Sequence, residues 1–141
     1  MKNIYAGKHI PNYKKINDCL KEIRQSDENT QINSSFIKYL CKKNLINSHR
    51  FNKLIHIDYD NLIEYLSMGN KDYNELNIVP RIRTITKAAE FYKENGFTFV
   101  TYSLIKSFCN LNKMPYIEIG TRKYVNLDIL EKLMQSKENE L

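Results

Sequence analysis

Tyr102, Ser103, Lys106, Ser107 and Asn110 fall at i, i+1, i+4, i+5 and i+8, so a helix through them carries all five on one face. Hydroxyls, an amide and an ammonium group on one helical face are suited to hydrogen-bonding base edges in a duplex major groove. Leu104, Ile105, Phe108 and Cys109 supply the opposite, apolar face at the same period. Farther along, Thr121, Arg122 and Lys123 follow Gly120 and form a short basic tip able to reach neighbouring phosphates.

These side chains need elements to hold them. Thr101 is a helix cap, its hydroxyl accepting from free backbone N–H groups of the first turn. Asn112 suits the stop, because Asn tolerates the left-handed conformation, and Pro115 prevents the helix from resuming. Ile117 and Ile119 then alternate with Tyr116 and Glu118. Tyr124 and Val125 follow the Gly120–Lys123 tip, which predicts a β-hairpin with φ > 0 at Gly120. Glu118 is expected to point away from phosphate or to hold a residue of the hairpin. Asn126 or Asp128 caps a last helix striped by Leu127, Leu130, Leu133 and Met134. With one more helix in front, the order is that of a winged helix-turn-helix.

Ile85-Thr86-Lys87-Ala88-Ala89-Glu90, Val100-Thr101, Ile105, Lys113 to Gly120, Asn126-Leu127-Asp128 and Leu130 together resemble the excisionase-type (MerR-like) winged-helix domain over about residues 80–135. Asn112 stands where that family commonly has Gly. The resemblance implies a DNA-binding architectural factor or transcriptional regulator of a plasmid, phage or transposon. Excision, repression, segregation and conjugative transfer all fit that role.

Displacing the chain by 68 residues lays its second half on its first. Ile37/Ile105, Lys38/Lys106, Cys41/Cys109 and Asn44/Asn112 match, and a one-residue slip upstream pairs Pro11 with Pro80 and Ile16 with Ile85. The expected organisation is a first repeat over 1–67, a linker over 68–79 around Gly69-Asn70, a second repeat over 80–135 and a polar tail over 136–141. Residues 1–10 are expected to be an extended lead-in. Tyr13, Ile16, Leu20 and Ile23 predict the first helix, and residues 25–31 a polar loop. A second helix begins at Ser34 or Ser35 and buries Phe36, Ile37, Leu40 and Cys41. Its candidate DNA contacts are Ser34, Ser35, Lys38, Tyr39 and Lys42, with Arg50 and Lys53 from a hairpin that lacks Pro and Gly and is expected to be degenerate. Asp60 opens the closing helix. From Phe36 to Lys53 there are five basic residues and no acid, the most one-sided charge run in the chain.

Lys+Arg exceeds Asp+Glu by 22 − 16 = 6 in 141 residues, with a pI of about 9.1, a balance that favours a polyanionic partner. No apolar run has signal-peptide or membrane-spanning length, so a cytoplasmic location without membrane contact is expected. Cys19, Cys41 and Cys109 lie on apolar helical faces and are expected in the core, as are Tyr13, Tyr65, Tyr92 and Tyr124. His9, His49 and His56 lack metal-ligand spacing, so neither metal nor cofactor is expected. Without a Gly-rich phosphate loop, paired carboxylates or a Ser/His or Cys/His arrangement, catalysis is not expected. The predicted fold class is α+β, mostly helical, with two tandem winged helix-turn-helix units. The predicted function is sequence-selective binding of double-stranded DNA at two half-sites roughly 10 bp apart. The rival is a winged-helix scaffold for protein contacts. Either reading admits self-association through the first repeat, or a recombination, transfer or segregation protein as partner.

Overall fold

The computed structural model describes residues 12–70 and 79–139; the expected lead-in and most of the linker lie outside them. In chain order the elements are β1 (Tyr13–Lys15), α1 (Ile16–Ser26), α2 (Ser34–Lys42), β2 (Ser48–Phe51), β3 (Leu54–Asp58) and α3 (Tyr59–Leu66). The same series follows as β4 (Ile82–Thr84), α4 (Ile85–Glu94), α5 (Tyr102–Asn110), β5 (Ile117–Ile119), β6 (Arg122–Asn126) and α6 (Leu127–Asn139). The described residues thus form an α+β fold with six helices and two antiparallel three-stranded sheets, ordered β1-β3-β2 and β4-β6-β5.

Strand pairing and helix ends recur at equivalent positions in the two halves. Tyr13 pairs with Asp58 as Ile82 pairs with Asn126, and Lys14 with Ile57 as Arg83 with Val125. His49 pairs with His56 as Ile117 with Tyr124, and Phe51 with Leu54 as Ile119 with Arg122. Asn33 caps α2 by accepting from the Phe36 N–H at 2.9 Å; Thr101 caps α5 through the Leu104 N–H at 3.2 Å. Each such cap is worth about 1 kcal/mol. Both helices stop on a left-handed Asn, Asn44 at φ 56° and Asn112 at φ 57°. The next N–H then closes back five residues, Leu45 to Leu40 O at 2.9 Å and Lys113 to Phe108 O at 2.8 Å, which satisfies carbonyls the helix end leaves over.

Several local expectations are corrected. Tyr13 is not helical: Lys15 is extended, so the chain pairs with β3 before α1 begins, and Tyr13 is 37% exposed. The helix α1 continues to Ser26, into the expected loop. The helix α2 does begin at Ser34 as expected, capped by Asn33, but α3 opens at Tyr59 rather than Asp60 and is capped by Asp58, whose carboxylate accepts from the Asn61 N–H. The hairpin expected to be degenerate is fully formed. Its two-residue turn places Asn52 at φ 50° and Lys53 at φ 67°, so both adopt the left-handed conformation that Gly would otherwise supply. In the second hairpin the turn is Gly120-Thr121, which leaves Arg122 and Lys123 at the start of β6.

Among the described residues, two apolar clusters form the core. One contains Ile85, Ala88, Ile105, Phe108, Val125 and Leu130 and belongs to the second repeat. The other is built on Cys19, Ile23, Ile37, Leu40, Ile57 and Leu62 of the first repeat, but also takes in Ile82, Ile117 and Tyr124 of the second. Phe36 stands edge-on to Tyr124 with ring centroids 4.9 Å apart. Burying a side chain of that size contributes about 1.5–3 kcal/mol, and the ring pair about 0.5–1.5 more. Beside it the Arg83 guanidinium makes a two-pronged ion pair with Asp27 at 2.6 and 2.7 Å, both side chains 7% exposed or less. The Gln31 N–H donates to Ile82 O, and the Asn126 amide donates to the carbonyls of Leu66 and Ser67.

This contact is head-to-tail. The second repeat contributes a sheet face, the first repeat the α1–α2 corner and the end of α3. The counterparts of the contacting residues pair elsewhere: Lys14, in the place of Arg83, binds Glu22 of its own repeat at 2.7 Å, and His56, in the place of Tyr124, stacks edge-on with Phe51.

Candidate nucleic-acid interface

The helix α5 presents what its period requires. Ile105, Phe108 and Cys109 are buried, Tyr102, Ser103, Lys106 and Asn110 are exposed, and Ser107 is half-buried. The ammonium of Lys106 lies 5.9 Å from the centre of the Tyr102 ring, one turn back, a spacing at which cation and ring attract. On the hairpin, Thr121 and Arg122 are exposed, while Lys123 is half-buried with its ammonium 5.5 Å above Tyr116. Glu118 is exposed on β5 and pairs in register with Lys123.

These elements meet around a concavity of about 360 Å³. Five expected residues line it: Tyr102 and Lys106 from the helix, Thr121, Arg122 and Lys123 from the hairpin. The start of α4 completes the wall with Thr84, Ile85, Thr86 and Lys87, where the Thr84 hydroxyl accepts from the Lys87 N–H. Among the described residues, four cations and no carboxylate line this space. The nearest acid shown to pair with one of them is Glu90, 3.1 Å from Lys87 on an exposed surface where such a pair is weak. The concavity is open, polar and positive, and it offers hydrogen-bond donors on three sides to an anionic backbone.

Ser103, Ser107 and Asn110 are not among its lining residues; they continue α5 away from it. Sequence reasoning missed Thr84, Thr86, Lys87 and Gln31. Thr86 and Lys87 stood within the Ile85–Glu90 segment that carries the family resemblance, a usable signal. Gln31 reaches the rim from the first repeat, and only the head-to-tail packing puts it there.

The first repeat is built differently. Ser35, Lys38 and Lys42 are exposed on α2, Ser34 is half-buried, and Tyr39 packs against the first core with Lys43 5.9 Å from its ring. Arg50 and Lys53 are exposed on the hairpin, but register puts Arg50 in the place of Glu118 and Lys53 in that of Thr121. The places of Arg122 and Lys123 are taken by Leu54 and Ile55. That hairpin instead displays Phe51, 43% exposed, between His49 at 4.4 Å and His56 at 5.0 Å.

Burial raises the thiol pKa of all three cysteines and pushes that of Cys19 up to about 12, so none supplies a thiolate near neutrality. Among the described residues no cluster of three or more His, Cys, Asp or Glu has metal-holding geometry, and no helix is long and apolar enough to cross a membrane. Compared with known proteins, the chain matches no family model, no curated protein and no solved structure.

Proposed function

We propose that the chain binds duplex DNA through two tandem winged helix-turn-helix units, with α5 as the principal recognition helix and β5–β6 as its wing. The observation that carries this reading is the concavity where Lys87, Lys106, Arg122 and Lys123 converge from three elements with no carboxylate among its described lining residues. Phosphates would sit against these cations and the first turn of α4, while Ser103, Ser107 and Asn110 read base edges along α5. The excisionase-type resemblance extends the proposal to a mobile element, with the protein a cytoplasmic, non-catalytic architectural factor or regulator. The first repeat lacks the Arg122–Lys123 pair on its wing and shows aromatic rings there instead. We assign it a secondary DNA contact through Lys38, Lys42, Arg50 and Lys53, and a protein contact through the rings.

Selection of bound fragments from sheared genomic DNA tests the reading. Recovery of a discrete motif supports it; equal recovery of all fragments, lost at moderate salt, indicates non-specific coating instead. Lys106→Ala and Arg122→Ala should each weaken binding and lower the salt slope by about one unit if each neutralises one phosphate. Unchanged slopes in both variants remove the concavity from the DNA interface.

A further inference from the structure

The contact between the two repeats uses two different surfaces, and each has an equivalent surface in the other repeat that carries exposed apolar side chains among the described residues. In the second repeat the sheet face formed by Ile82, Ile117 and Tyr124 is 7% exposed or less because the first repeat covers it. Register gives the same face in the first repeat to Tyr13, His49 and His56, flanked by Phe51 and Leu54 in the places of Ile119 and Arg122. Among these Tyr13 is 37%, Phe51 43% and Leu54 51% exposed. The covering surface is the α1–α2 corner of the first repeat, around Gln31 and Phe36. Counted back from the equivalent caps Asn33 and Thr101, Gln31 corresponds to Phe99, Asn29 to Phe97, and Phe36 to Leu104. Phe97 and Phe99 are 43% and 54% exposed and lie 6.1 Å apart.

Aromatic side chains therefore stand exposed on the sheet positions that the internal joint buries in the second repeat, and at the corner positions equivalent to Gln31, which is half-buried and donates to Ile82 O, and Asn29, which is exposed. A heterologous contact of this kind leaves one unused half on each side, and repetition between molecules gives an open series rather than a closed pair. We infer that a second copy of this chain docks its α4–α5 corner (Phe97, Phe99) on the first-repeat sheet (Tyr13, His49, Phe51), continuing the internal joint head-to-tail from molecule to molecule. The internal ion pair is not reproduced. Lys14 takes the place of Arg83 but binds Glu22, and Asn95 or Gly96 takes the place of Asp27. Association between molecules is accordingly reversible and rises with concentration, and a DNA lattice that aligns copies would favour it. This inference does not depend on DNA binding.

Sedimentation velocity of the full chain, alone and with duplex DNA, tests it with Phe51→Glu on the sheet and Phe99→Glu on the corner. Leu54→Glu and Phe97→Glu form a second pair, all four positions being exposed enough that melting should not change. Wild type should show species growing continuously with concentration, and each variant alone should stay monomeric. Mixing Phe51→Glu with Phe99→Glu should restore a one-to-one dimer and nothing larger, because one sound sheet and one sound corner remain. A wild type monomeric throughout, association indifferent to both variant pairs, or a mixture that fails to recover the dimer overturns the proposal.

Discussion

Replacing Arg83 by Met keeps much of the side chain's length and removes its charge, leaving the Asp27 carboxylate inside the protein without its cation. Both partners are 7% exposed or less and joined by two hydrogen bonds at 2.6 and 2.7 Å, so solvent screening relieves little of the loss. Breaking such a buried pair costs about 3–5 kcal/mol, a large share of the roughly 5–15 kcal/mol that holds a domain folded. With an unfolding entropy of about 2 cal/mol/K per residue over 141 residues, the melting temperature should fall by about 10–17 °C. Urea unfolding followed by circular dichroism gives the energy, and amide hydrogen exchange resolves where it is lost. Exchange protection should fall together in α2 of the first repeat and β6 of the second, since Phe36 and Tyr124 share one cluster. The double change Asp27→Leu with Arg83→Met removes both charges and should recover most of the stability. A loss under about 1 kcal/mol, or protection lost in one half alone, refutes the idea that the pair locks two repeats into one cooperative unit.

Three further outcomes follow from other features. Lys53→Gly relieves a non-Gly residue at φ 67° and should raise the urea midpoint by the equivalent of about 1 kcal/mol, while removing a cation from the proposed DNA surface. An unchanged midpoint counts against the turn geometry. Tyr92→Phe removes a buried hydroxyl that has no hydrogen-bond partner among the described residues, so stability near neutrality should hold or rise by about 1 kcal/mol. Burial also pushes that phenol from 10.0 up to about 12. The folded state therefore keeps its proton longer than the unfolded one, and stability declines from pH 10 to about pH 12, a decline that Tyr92→Phe should lessen when followed by alkaline titration. Because the repeats pack head-to-tail, a DNA site touched by both should show direct rather than inverted repetition. An inverted repeat among the selected fragments would place the two faces wrongly.

Much of this was legible in the sequence wherever it was local. The apolar stripe of α5, its Thr101 cap and its Asn112 stop are set by residues within a few turns of one another, and so are their counterparts in α2. Five of the eight expected second-repeat contacts meet in one concavity because a helix face and a hairpin tip have readable periods. The strands β1 and β4 were not legible: three residues hold no period, and Tyr13 falls at helical spacing from Ile16 and Leu20. Nor was the joint between repeats, since Asp27 and Arg83, or Phe36 and Tyr124, are far apart in sequence and belong to different repeats. The contrast between the hairpins was hidden because Arg50 and Lys53 give the first hairpin a basic tip in the sequence. Pairing register, which the sequence does not display, showed Leu54 and Ile55 in the decisive places.

The amide of Asn126 closes the carbonyl end of α3 by donating to Leu66 and Ser67 across a sequence separation of about 60 residues. During synthesis at about 5–20 residues per second, that donor is made some 3–12 s after its acceptors. For nearly all of that interval Phe36 has no Tyr124 to stand against, and until Arg83 is made Asp27 has no guanidinium. The newborn first half must wait, incompletely closed, for the half that follows it. Slow codons or a stall between the repeats would lengthen this exposure.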